Sequence, residues 1–225
     1  MTDGAARNAV ATPAAEAARY ALLRRLAPSM RHHLVVNLQP IGMVHEVLQR
    51  RLNAPQPNLG EVHDGVHKIN GYARAALASC LDVVTWLAPE DGARINAERG
   101  VRECLSLVQT SFTFRGFILR DDVEPSAGEV SRQAFRNVFT AALLYVTDTN
   151  APPAEIAIST QPGNDALAVT IAVKPTAGEQ GFATAPSYRP ITWDDLQALG
   201  AADSVQVERQ GDDVRISLPW ALASA

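Results

Sequence analysis

The chain has 225 residues, 47% of them hydrophobic, enough to bury one large core or two modest ones. Its formal charge of −4, from 20 Lys+Arg against 24 Asp+Glu, excludes a broad electrostatic attraction to nucleic acid or to an anionic membrane, so the expected partners are proteins. No stretch approaches the roughly 20 apolar residues of a membrane helix, and the opening "MTDGAARNAVATPAAEAARY" has neither a basic n-region nor a long apolar h-region.

Residues 1–17 read as a loose, Ala-rich lead-in. From Leu23 the positions Leu26, Met30, Leu34, Leu38, Ile41, Val44, Leu48 and Leu52 recur every three or four residues, which predicts a long amphipathic helix. Two prolines in "NAPQPN" end it. A second run with the same spacing, Val62, Val66, Ile69, Ala73, Ala76, Cys80, Val83 and Leu87, predicts an antiparallel partner helix. The apolar seam of such a hairpin is wider than one partner helix covers, so residues 18–90 are expected to form a homodimeric four-helix bundle. Cys80 and Cys104 stand beside apolar residues in helical patterns and read as small buried thiols of a reducing compartment. The expected location is the cytoplasm.

After "APEDG" the pattern changes. Residues 93–114 read as a helix, "GFILRDDV" as a strand, and "SAGEVSRQAFRNVFTAALLYVTD" as a helix with Ser126 as a candidate cap. "AEIAIST" and "ALAVTIAVKP" alternate as strands around the turn "QPGND". "TWDDLQALG" reads as a short helix capped by Thr192 and stopped at Gly200, and "SVQVERQGDDVRISLPW" as a closing hairpin. Residues 91–225 are therefore expected to be an α/β sandwich, and the whole chain to be α+β.

In "LAPSMRHHLVVNLQPIGM" the helical period of about 100° per residue turns His32 roughly 190° from the apolar stripe, into water, and leaves His33 about 70° off the stripe at its flank. By periodicity alone His32 reads as an ordinary surface histidine. Its neighbourhood resembles the dimerisation and phosphotransfer hairpin of two-component histidine kinases, L-x-x-S-h-x-H-[ED]-h-x-x-P-L, with Leu26, Ser29, Met30, His32, Leu34 and Leu38 on matching positions. Arg31-His32 followed by Leu38-Gln39 and Ile41 is similar to the R-H-x-x-x-x-x-L-Q-x-I of the sporulation phosphorelay phosphotransferase and its relatives. The resemblance implies that His32 is a phosphoacceptor, that Arg31 stabilises the phosphoryl oxygens with His33 flanking, and that Val35, Val36 and Gln39 meet a response-regulator receiver domain, which brings its own Mg²⁺. Three positions depart from the family pattern: the usual acidic residue after the histidine is His33, the Thr or Asn four residues on is Val36, and the proline five on is Asn37, with Pro40 following.

The rival histidines are His45, followed by Glu46, and His63, followed by Asp64. His45 sits too near the end of the first helix and His63 at the start of the second. His63 and His67 have the i, i+4 spacing of a metal chelate, but with no third ligand in sequence they read as a solvated surface, so no metal is expected.

Residues 91–225 resemble the ATP-binding domain of the same kinases: "RQAFRNVFTAALLYVTDT" is similar to its N-box helix and the last strands to its closing pair. The N-box asparagines fall on Ala141 and Tyr145, Lys174 in "KPTAGEQG" stands where an aspartate reads adenine, and "FATAPSYRPITWDDL" has no glycine pair for phosphates. The resemblance thus implies a degenerate domain without a nucleotide cofactor. The expected function is phosphotransfer through His32; the alternative is a noncatalytic adaptor that regulates a kinase or response regulator.

Overall fold

The computed structural model describes residues 12–88, 90, 92–179, 181–182 and 186–221. The chain is α+β and divides into two compact units, residues 27–90 and a second made of the N-terminal residues to Leu26 with 91–225. The first eleven residues of the expected lead-in lie outside the described residues.

The first unit is a helical hairpin. Helix α1 (Pro13–Leu52) runs for 40 residues and is followed by α2 (Leu59–Leu87), whose first turn is capped by the Asn58 side chain accepting from the amides of Gly60 and Glu61. Leu34, Asn37, Ile41, Val44 and Leu48 are buried or half-buried along one face of α1. Three contacts set the antiparallel register. Asn37 Nδ2 donates to Ser79 Oγ at 2.9 Å, Leu48 lies against Gly65, and Arg51 pairs with Glu61 at 3.1 Å. The approach is close at Gly65, where a Cβ would stand 2.4 Å from Leu48 Cδ2 and the Leu48 side chain would have to shift.

Two corrections concern α1 and α2. The helix starts at Pro13 rather than after residue 17, because Ala15, Ala18, Ala21, Leu22 and Leu26 keep helical spacing and are buried within the second unit. Within the expected lead-in Ala15 is the first residue of this packed face, which continues at Ala18 and Ala21. Cys80, expected to be buried, is exposed, whereas Cys104 is fully buried. Cys80 belongs to the flank of α2 carrying exposed Leu77, Leu81 and Val84, which a single chain leaves uncovered.

The second unit is a five-stranded mixed sheet with helices on one face. Its strands are β2 (Phe117–Asp122), β4 (Ala154–Pro162), β5 (Ala166–Pro175), β6 (Gln206–Gln210) and β7 (Asp213–Pro219), in the order β2-β4-β5-β7-β6, with only β2 and β4 parallel. Alternate residues Ile156, Ile158, Leu167, Val169, Ile171, Val214, Ile216 and Leu218 are fully buried on the inner face. Helices α3 (Ala97–Phe114), α5 (Thr140–Thr149) and α6 (Trp193–Ala202) supply the opposing layer, including Phe112, Leu143 and Leu196.

The element order read from the sequence matches this core, with three local differences. The expected helix over 93–114 opens with a short strand, β1 (Arg94–Asn96), which pairs antiparallel with β3 (Glu129–Ser131). The helix after β3 therefore begins at α4 (Arg132–Ala134) with Ser131 as its cap, and Ser126 lies in the preceding loop. The chain continues from α4 through a π-helical segment (Phe135–Phe139) into α5. Finally, Gly200 does not end α6, which runs to Ala202 and is terminated at Asp203 and Ser204, the latter with φ of 57°. Gly200 serves close packing, since a Cβ would meet the Val205 carbonyl oxygen at 2.7 Å.

Candidate functional site

His32 lies on α1 outside the set of residues buried toward α2, and its ring is exposed. Arg31 is exposed beside it, and His33, one step around the helix, is half-buried with its ring centroid 6.4 Å from that of His32. Val35, Val36 and Gln39, the expected partner-facing residues, are all exposed on the following turns. All six residues lie within three turns of α1, five of them exposed and His33 half-buried.

Asn37, which replaces the proline of the family pattern, gains two bonds that proline lacks: its Nδ2 donates to the His33 carbonyl at 3.1 Å and to Ser79 at 2.9 Å. This polar clip fixes the helix pair one turn beyond His32 and His33. Upstream, Pro28 removes an amide from the helical ladder and frees the Arg24 carbonyl, which accepts from Ser187 Oγ at 3.4 Å. Both prolines, Pro28 and Pro40, are accommodated within α1.

In the sheet-bearing unit the two positions matched to nucleotide chemistry are occupied by packing. Ala141 and Tyr145 are buried on α5. The Tyr145 ring stands 5.5 Å from that of Trp193 on α6, its hydroxyl accepts from Arg209 Nη1 at 2.9 Å, and the same guanidinium lies 5.7 Å from the Trp193 ring. Lys174 is exposed near the end of β5 and faces Glu155 in the ladder. Gln180 in "KPTAGEQG" and residues 183–185 of the expected lid lie outside the described residues.

Sequence reading missed the buried polar groups of this unit. Asn137, in the π-helical segment, donates from Nδ2 to Asp203 at 2.8 Å, and burial pushes the Asp203 carboxyl upward against that hydrogen bond. Asp148 at the end of α5 receives a bidentate pair from Arg25 of α1, at 2.6 and 2.8 Å, and a bond from the Ile191 amide at 3.1 Å. Arg115 approaches the same carboxylate at 3.8 Å, and burial lowers its pKa. Arg189 holds the Asp195 carboxyl down at about 2, with Thr192 closing a capping box on α6. The T-x-x-D cap was legible as "TWDD"; the long-range ion pairs had no local signal.

No family model matches this chain, and no curated protein matches it. Solved structures do. A histidine kinase from Burkholderia phymatum STM815 is 13% identical, covers 94% of this chain and 100% of its own, and superposes with a TM-score of 0.43. The Acinetobacter baumannii histidine kinase AdeS is 12% identical over 80% of this chain and 96% of its own, with a TM-score of 0.43. A bacterial phosphotransferase is 12% identical over 88% of this chain and 95% of its own, with a TM-score of 0.41. These are distant likenesses, and the functional argument rests on the residues described above.

Proposed function

We propose that this chain is a dimeric histidine phosphotransferase of a two-component phosphorelay, passing a phosphoryl group to or from a receiver domain through His32. The observation that carries the reading is the solvent-facing imidazole of His32 in mid-helix, with a guanidinium at its side and exposed Val35, Val36 and Gln39 on the same surface. A neutral imidazole is a competent nucleophile toward an aspartyl phosphate. The acyl P–O bond breaks and its electron pair leaves with the receiver carboxylate, while a P–N bond forms at the free ring nitrogen; the other nitrogen keeps its proton. Arg31 offers charge-assisted hydrogen bonds to the phosphoryl oxygens, and Mg²⁺ comes with the receiver. Because His33 replaces the acidic neighbour that would take up a proton during attack on ATP, transfer between proteins suits this site better than autophosphorylation.

The sheet-bearing unit is read as a positioning domain without nucleotide. What supports this is the Tyr145, Trp193 and Arg209 cluster, which fills the α5 surface with an aromatic and a cation where a metal-binding amide would be needed.

The test is incubation with a phosphorylated receiver domain, with calorimetry against Mg²⁺-ATP alongside. Acid-labile label is expected on the wild type and lost in His32→Ala, and no heat is expected from the nucleotide at micromolar concentration. Label that persists in His32→Ala overturns the assignment. Tight receiver binding without label favours the adaptor.

A further inference from the structure

His63 and His67 stand one helical turn apart near the start of α2, both exposed. Their Nε2 atoms approach to 3.1 Å, with ring centroids 4.3 Å apart. Two imidazole nitrogens held about 2.1 Å from one ion are separated by roughly 3.0 Å for a right-angled pair and roughly 3.4 Å for a tetrahedral pair. The observed spacing falls between those limits, so the two nitrogens already stand at the separation that a shared ion requires. In the unliganded pair one ring N–H donates to the Nε2 of the other; a shared ion requires that proton to be carried on Nδ1 instead, which frees both Nε2 atoms to ligate.

We infer that His63 and His67 form a two-imidazole site for a borderline transition-metal dication such as Zn²⁺, Ni²⁺ or Cu²⁺, at the turn end of the hairpin. Imidazole selects these ions over Mg²⁺ and Ca²⁺, which require oxygen ligands. No group of three or more His, Cys, Asp or Glu converges among the described residues, so the chain supplies two ligands and water completes the shell. Bridging i and i+4 staples the first turns of α2, and an ion held by the folded helix but not by the unfolded chain raises the stability of the hairpin. The site is independent of phosphotransfer, which is assigned to α1.

The full chain is titrated calorimetrically with Ni²⁺, Zn²⁺ and Mg²⁺, and its thermal unfolding is followed with and without Ni²⁺. The expected result is one Ni²⁺ or Zn²⁺ per chain, no heat from Mg²⁺, a Tm raised by Ni²⁺, and at least tenfold weaker binding with loss of the Tm rise in either His63→Ala or His67→Ala. Alanine at exposed helical positions favours the helix, so the variants fold. Binding that survives in the double variant, or that is absent from the wild type up to millimolar Ni²⁺, overturns the assignment.

Discussion

Asp148 and Arg25 are each only 4% exposed at the side chain, which makes their pairing the most consequential single contact outside the candidate site. The carboxylate is fully engaged, by both Arg25 amino groups and by the Ile191 amide. Removing one charge leaves its partner buried without compensation, at a cost of about 3–5 kcal/mol, whereas replacing both by apolar groups of similar volume is close to neutral. Asp148→Ala is therefore expected to lose about that much in chemical denaturation, and Arg25→Met combined with Asp148→Leu to recover most of it; equal losses in the single and double variants would contradict this account. None of this was legible beforehand, because the partners lie 123 positions apart and a charged residue in a helix normally faces water. His32 was legible for the opposite reason: its exposure follows from local helical period alone.

At the scale of elements, the long helices and the β4/β5 and β6/β7 hairpins were readable because their apolar spacing is sustained over many residues. The misreadings cluster where a three-residue strand has no room to show a period, as at β1 and β3, or where one residue type serves two purposes. Gly200 is such a case. Glycine near a helix end reads as a stop, yet here α6 continues past it and the missing side chain admits the returning Val205 carbonyl. Gly→Ala within a helix ordinarily stabilises by about 1 kcal/mol. At Gly200 the 2.7 Å approach is to backbone, which cannot swing aside, so Gly200→Ala is expected to destabilise by about 1–3 kcal/mol instead. A raised denaturation midpoint in that variant would show that the β6 approach yields easily.

For the whole molecule, the decisive question is what covers the hairpin. Leu59, Val66, Leu77, Leu81 and Val84 form an exposed stripe along α2, and Leu38 and Leu52 are exposed on α1. The successive spacings of seven, eleven, four and three residues keep these side chains on one face of α2, as in a helix that packs against another helix. A second copy would cover such a stripe with its own, so that each leucine would count twice. At about 1.5–3 kcal/mol per buried side chain, Leu77 and Leu81 from two chains contribute roughly 6–12 kcal/mol before the cost of association, comparable to the whole binding free energy of a complex with micromolar to nanomolar affinity. The wild type is accordingly expected to run in light scattering at twice the 24.1 kDa chain mass, and Leu77→Lys with Leu81→Lys at the chain mass itself. The dimer should also unfold with a Tm that rises with protein concentration, a dependence absent from the double variant. A wild type that is monomeric at tens of micromolar would remove the bundle on which the proposed phosphotransfer through His32 depends, while leaving the His63–His67 pair untouched, since both of its residues come from one helix.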